Sequence, residues 1–360
     1  MREQYSMRVV EASGSAYKLG FEIGSQCQDL ARDMVEDRRR ELKQKYNMDW
    51  DRARMIARKC LSFCEDSIPK DVEELKGYAE GAGLGLEEVF TLFCTYKKGE
   101  KHVFGCTDLV VSASLTEEKH IFMAHNEDAY AKEAKDICLV RGKPENAPAF
   151  LAVTFGGLIF SGGLNAAGLG FGLNTVTPND TRVGIPIDRI FRALYGARAI
   201  VEALTYANLP DRESSYNNVV ADSHGQIYSI EASATDFELI YAGGSYLVHT
   251  NHYVTDKMKR YESAIPHDTW AITRHMCSVA RFNRASSLLG EYEKISLPRI
   301  ISIMRDHVNY PWSICRHVDE DAKPEYQVKT VCSSIANLTT QELWVCYGNP
   351  CSAEYERYTL

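Results

Sequence analysis

The sequence predicts a layered α+β protein built on antiparallel sheets, with a helical N-terminal part packed against them. Three observations carry this. Residues 1–100 space their apolar side chains at helical intervals. From Cys106 onward, short runs rich in Val, Ile, Phe and Leu alternate with Gly, Asn and charged turns. Strands, helices, strands, helices and strands then follow one another, and no repeat or low-complexity linker divides the 360 residues, so one compact unit is expected.

Taken in order, AYKLGFEIGSQCQDLARDMVEDRRRELKQKY places Leu19, Phe21, Ile23, Leu30 and Met34 on a helical period. DWDRARMIARKCLSFCED and DVEELKGYAEGAGLGLEEVFTLFCTY continue it, with Pro69 between them and a break at Gly81-Ala82-Gly83-Leu84-Gly85. The segments CTDLVVSAS, KHIFMAHNED, DICLVRG, AFLAVTFGG and LIFSGGLNAAGLGFGLNTV read as strands. Helices are expected over 186–207 and in a second set near 276–305. SSYNNVVADSHGQIYSIEAS, DFELIYAGG and YLVHTNH form a strand series between them, and TVCSSIANLTTQELWVCYGN closes the chain. Glycines 163, 168, 170 and 172 do not make the dinucleotide pattern at a strand-to-helix turn. They let backbone approach a site or a neighbouring sheet closely.

A net charge of -8 argues against a nucleic-acid surface, and the basic run at 38–46, flanked and interrupted by Glu36, Asp37 and Glu41, reads as a solvated helix face. No run approaches the ~20 apolar residues of a membrane span, and the N-terminus shows no apolar signal core, so a cytoplasmic protein is expected. Its eleven cysteines then read as reduced thiols. Cys60 and Cys64 are four residues apart on a helix with no second ligand pair at zinc-like spacing, so neither metal nor cofactor is expected. The triplets at Asn179 and Asn337 that match a glycosylation sequon are chance in such a compartment.

Gly105-Cys106 raises the question of function. A buried core thiol is the ordinary reading. The other is that the bond before Cys106 is cut, which leaves a free α-amine of pKa ~7.7–8.0 as a built-in base beside a thiol of pKa ~8.5. Glycine leaves its carbonyl unshielded against such a thiol. Elsewhere AHNEDAY, LVHTNHYV and NYPWSICRH set amides and a lone Arg among apolar residues, the groups that hold an oxyanion or a carboxylate.

These segments carry a resemblance. Gly14, Gly20 and Gly24 in G-x5-G-x3-G, then EELKGYAEGAG, GCT, N-x-D, G-x-N-x-x-G, HTNH, NYPWSICR and GNPC occur in order over nearly the whole chain. In this the sequence resembles the isopenicillin-N acyltransferase family of cysteine N-terminal-nucleophile hydrolases. The resemblance implies a four-layer αββα sandwich. It also implies self-cleavage before Cys106, giving an α fragment 1–105 and a β fragment 106–360, and an acyl-cysteine mechanism on a small-molecule amide or acyl-thioester. Cys106 matches the nucleophile and Asp128 the acid that orients its amine. Asn251 matches the oxyanion amide and Asn174 a neighbouring oxyanion or substrate contact. Arg316 and Ser313 match residues around processing and the nucleophile.

Two positions depart from the pattern. His125 stands where related bile-salt and penicillin V hydrolases carry an Arg, and Glu127 where acyltransferases often carry an aromatic residue. An acidic Glu127 hints at a cationic or amine-bearing substrate. His249 and His252 read as structural. The alternatives are a turn-capping role for Asp128, a strand-edge role for Asn251 and a surface salt bridge for Arg316. Three functions stay open: an autoprocessed amidase, an acyltransferase to a small amine, and an unprocessed binding protein, with homo-oligomers possible in each case.

Overall fold

Strand alternation sorts the apolar residues into two faces, and the structure, a computed structural model describing residues 7–96, 105–265 and 269–360, uses both. The strands are β1 (Arg8–Gly14), β2 (Gly105–Val111), β3 (Phe122–Tyr130), β4 (Ile137–Pro144), β5 (Phe150–Phe155), β6 (Ile159–Asn165), β7 (Leu169–Asn174), β8 (Asn217–Asp222), β9 (Ile227–Ala232), β10 (Phe237–Tyr241), β11 (Tyr246–His249), β12 (Val328–Asn337), β13 (Glu342–Tyr347) and β14 (Glu356–Thr359). The helices are α1 (Ala16–Gln26), α2 (Gln28–Tyr46), α3 (Trp50–Ser67), α4 (Pro69–Ala82), α5 (Leu86–Phe90), α6 (Ile187–Leu194), α7 (Ile200–Ala207), α8 (Asp256–Lys259), α9 (Thr269–Gly290) and α10 (Leu297–Met304).

One sheet runs β1-β4-β5-β6-β7-β8-β9-β10 and the other β11-β2-β3-β12-β13-β14. Three apolar layers hold them. Leu19, Ile23, Leu75, Tyr78 and Phe191 from α1, α4 and α6 pack on Val140, Phe150 and Ala152 of the first sheet. Val110, Met123 and Val345 of the second sheet meet Leu139, Leu151, Val153 and Val219 of the first. Ala285, Leu288, Ile300 and Ile303 of α9 and α10 cover Leu109, Val111, Ala124 and Ile335 on the far face. The order is helix, sheet, sheet, helix, as the α+β reading expects.

Glycines set the sheet spacing. A side chain at Gly170 would run into Leu338 and Met123, and one at Gly172 into Asp108 and Met123, so β7 lies close against β2 and β3. The α1–α4 crossing works the same way, since a Cβ at Gly20, Gly24, Gly77 or Gly81 would strike backbone of the other helix.

The structure departs from the sequence reading in four places. Arg8–Gly14 is a strand, and it pairs parallel with β4. The five helices between them supply the long crossover that a parallel pair requires. The first predicted helix is two, parted at Cys27 (φ -112, ψ 18). The 186–207 helix breaks around Gly196 into α6 and α7. Strand β14 was not expected. Among the described residues no helix is long and apolar enough to cross a membrane.

Candidate active site

Strands β2 and β3 bring the chemistry together because residues opposite one another in an antiparallel pair share a face. Cys106 lies opposite Glu127 and Asp108 opposite His125, while Gly105 lies opposite Asp128. Cys106, Asp108, His125 and Glu127 therefore face the first sheet. Gly105, Thr107, Asn126 and Asp128 face α9 and α10.

On the inner face the polar groups form a closed chain. His125 Nδ1 is 2.9 Å from Asp108 Oδ1 and its Nε2 is 3.0 Å from Glu127 Oε2. The Ser161 hydroxyl of β6 donates to the same Glu127 oxygen at 2.6 Å. The Cys106 thiol donates to Glu127 Oε1 at 3.7 Å. Burial opposes a charged His125, but the two carboxylates outweigh it and hold its pKa up at about 10. Burial pushes the Cys106 thiol well up, Glu127 adds to this, and the Thr175 backbone N–H pulls the other way. The thiol is thus protonated, and it stands against the Glu127 side chain.

On the outer face the groups surround the peptide bond before Cys106. The Cys106 N–H donates to Asn251 Oδ1 at 2.9 Å. Arg281 of α9 donates to the Cys106 carbonyl at 2.5 Å, to Thr107 Oγ1 at 2.7 Å and to Asn251 Oδ1 at 2.7 Å. Two donors converge on Asn251 Oδ1, which fixes the amide's orientation and turns its nitrogen to the Thr175 carbonyl at 3.2 Å. Asp128 accepts from Thr330 Oγ1 at 2.7 Å, and its other oxygen is buried without a protein partner. That oxygen would stand 3.0 Å from a Cβ on Gly105, and Arg316 Nη1 3.2 Å from it. Burial raises the Asp128 carboxyl pKa, against the pull of Arg281 and Arg316.

A cleft reaches this point, lined by Gly105, Thr177, Asn251, Arg274, Arg281 and Arg316, with Glu262 and His275 nearby in its wall. Arg316 is buried and stacks its guanidinium 4.7 Å from the Trp312 ring, so it is not in a surface salt bridge. Asp128 lies within a strand rather than capping a turn. Asn251, just past β11, does receive a strand N–H, but the N–H is that of Cys106.

Asn174 is buried beside Thr175. Its carbonyl accepts from Asn217 at 3.0 Å and lies 2.9 Å from His249 Nδ1, and its NH2 has no protein partner. His249 is anchored in turn 2.9 Å from Glu231 and so helps to position Asn174. His252 is held 2.8 Å from Ser278. Ser313 donates to the Cys315 carbonyl within its own loop and is not among the cleft residues. Glu127 also does not line the cleft, and its charge is matched by His125.

Sequence reasoning missed Arg281, Thr175 and Ser161. Arg274 and Arg281 are two helical turns apart, on the face that carries Ala271, Ser278 and Ala285. A basic pair on the small-residue, packing face of a helix is the signal that could have found Arg281.

The sequence profile of the family described as acyl-coenzyme A:6-aminopenicillanic acid acyl-transferase matches residues 115–352, and the chain belongs to that family. The matched stretch includes His125, Glu127, Asp128, Asn174, Asn251, Ser313 and Arg316, and begins after Cys106. Among solved structures, two variants of the conjugated bile acid hydrolase of Clostridium perfringens are 13% and 14% identical, with TM-scores of 0.46 and 0.47. Each match covers 71% of this chain and 97% of the other. Penicillin V acylase from Agrobacterium tumefaciens is 12% identical with a TM-score of 0.41, over 67% of this chain and 83% of its own.

Proposed function

We propose that this member of the acyl-coenzyme A:6-aminopenicillanic acid acyl-transferase family is a self-cleaving cysteine enzyme that hydrolyses or transfers an acyl group at an amide or thioester. One observation carries the reading. Cys106 follows a glycine at the head of a strand, with its thiol against a carboxylate and its own N–H held by an amide at the end of a cleft.

In the precursor, Glu127 takes the thiol proton and Sγ attacks the Gly105 carbonyl. A thioester forms, the Gly105–Cys106 C–N bond breaks, and the proton goes to the departing amine. Water then hydrolyses the thioester to a Gly105 carboxylate and a free thiol. The α fragment 1–105 stays attached to the β fragment 106–360, because β1 is paired to β4 and α1 and α4 cover the first sheet.

In the mature enzyme the Cys106 amine is the base for its own thiol. Asn251 Oδ1 and the unpartnered Asp128 oxygen are placed to hold that amine, whichever proton state it is in. The second N–H of Asn251, the free NH2 of Asn174 and the Thr175 N–H are the donors available to the oxyanion. The three arginines of the cleft favour an acyl donor with negative charge near its reacting carbonyl, in place of the cationic substrate that Glu127 alone hints at.

Denaturing electrophoresis and mass spectrometry of the purified protein test this. Wild type should give fragments of roughly 12 and 29 kDa, the larger beginning at Cys106. Cys106→Ala should stay whole and inert. An active enzyme that remains a single chain would overturn the reading.

A further inference from the structure

Away from the cleft, the loop after α10 and the segment after β13 bring four metal-binding side chains to one point. His307, Cys315, His317 and Cys351 each offer a ligand atom, and all four atoms lie within 4.8 Å of one another. His317 Nε2 is 3.1 Å from His307 Nε2, 3.7 Å from Cys315 Sγ and 3.5 Å from Cys351 Sγ. We propose that these four residues bind a zinc ion as a closed Cys2His2 site.

The distances are those the ion would impose. Zinc bonded tetrahedrally to sulfur at about 2.3 Å and nitrogen at about 2.0–2.1 Å spaces neighbouring donors by about 3.3 Å (N to N) and about 3.6 Å (N to S). The three contacts at His317 fall close to those edges. Two imidazoles and two thiols are a soft-to-borderline set that selects zinc over calcium or magnesium. Two thiolates also cancel the charge of a divalent ion. Asn349 supplies an outer contact, donating through Nδ2 to Cys315 Sγ at 3.6 Å and to the Arg316 carbonyl at 2.7 Å. Such contacts orient ligands and strengthen metal binding.

The spacing explains why the sequence did not show it. The nearest two ligands, Cys315 and His317, are separated by one residue, His307 lies eight before Cys315, and Cys351 comes from the far side of a hairpin. None of this matches a paired Cys-x2–4-Cys pattern. The site also has a place in the fold. Arg316 lies between two ligands and lines the cleft, so the ion would anchor the loop that carries it. That consequence rests on the functional reading above, whereas metal binding does not.

The test uses the full chain without a polyhistidine tag, incubated with zinc chloride and freed of loose metal by gel filtration. Plasma mass spectrometry should find one zinc per chain, in wild type and in Cys106→Ala alike. Cobalt in its place should give tetrahedral ligand-field bands and a thiolate-to-cobalt charge-transfer band. Cys351→Ser and His307→Gln, both at exposed positions, should cut retained zinc at least tenfold with an unchanged circular dichroism spectrum. Three results would overturn the proposal: no zinc retained by wild type, zinc retained undiminished in both variants, or a Cys315–Cys351 disulfide in freshly prepared protein. If a variant does not fold, the wild-type cobalt spectrum decides, and absent thiolate bands count against the site.

Discussion

Glu127→Gln separates the proposed proton acceptor from the scaffold around it. The carboxylate lies 3.0 Å from His125 Nε2, accepts from Ser161 at 2.6 Å, and leaves Oε1 to the Cys106 thiol. Glutamine keeps the shape and loses the charge, so the thiol has no carboxylate to receive its proton. Loss of a general base slows a reaction by about 10²–10⁴, and self-cleavage should slow by that factor. Folding should suffer less. His125 keeps Asp108 at 2.9 Å, and one weakened buried polar contact costs about 1–3 kcal/mol.

A second readout comes from His125. Its folded pKa of about 10 lies above an unfolded value of about 6.5, so its contribution to stability is complete below pH ~6.5 and fades as pH rises toward 10. With one of its two carboxylates gone, His125 should lose its proton at lower pH. The alkaline fall in stability should still begin near pH ~6.5 but end at a lower pH and be smaller in total. The assays are a time course of fragment appearance by mass spectrometry and thermal melts across pH 6 to 10, where the range is about that set by the two pKa values. Cleavage at the wild-type rate, with an unmoved alkaline limb, would refute the role of Glu127.

Two further outcomes follow from the same geometry. Asp128→Asn should lower kcat by about 10²–10⁴ in correctly processed protein while the melting temperature moves little, because the charge that holds the Cys106 amine is lost and the shape is kept. Near-normal turnover in that variant would exclude the role. Gly172→Ala should cost about 1–3 kcal/mol by driving a methyl into Asp108 and Met123, and unchanged denaturant unfolding would show that the sheets are not in such close contact there.

The layer order was legible because strand alternation and helical spacing both survive in the sequence. LVV in β2 reads Leu109 out, Val110 in, Val111 out, and the structure packs them on opposite faces in that order. Strand β1 was missed because a seven-residue run with a charged Glu11 in its middle gives a weak signal, and its partner lies beyond five helices. The same alternation contained more than was drawn from it. Neighbours in a strand point apart, so Glu127 and Asp128 could not both face one pocket. Glu127 belongs with Cys106 and His125, and Asp128 with Gly105. The parts that stayed hidden come from elements far away in the chain. Arg281 is 175 residues from the carbonyl it holds, and no local pattern records that meeting.

If the Gly105–Cys106 bond is cut as proposed, the two faces of β2 also account for how one bond can be both substrate and site. On the inner face burial, and after it the carboxyl groups of Glu127 and Asp108, raise the thiol's pKa and keep it protonated until a base acts. On the outer face Arg281 and Arg316 line the cleft at Gly105. Cleavage turns a neutral peptide bond into a carboxylate and an amine. The carboxylate would form beside the two arginines, and the amine beside Asn251 and the unpartnered oxygen of Asp128. Each product charge therefore meets an opposite charge or an acceptor already in place, without reorganisation of the fold. A later acyl substrate would then present a carbonyl, and then an oxyanion, at the position the Gly105 carbonyl held. On the proposed mechanism, the groups that hold the uncut bond would thus become those that turn over substrate.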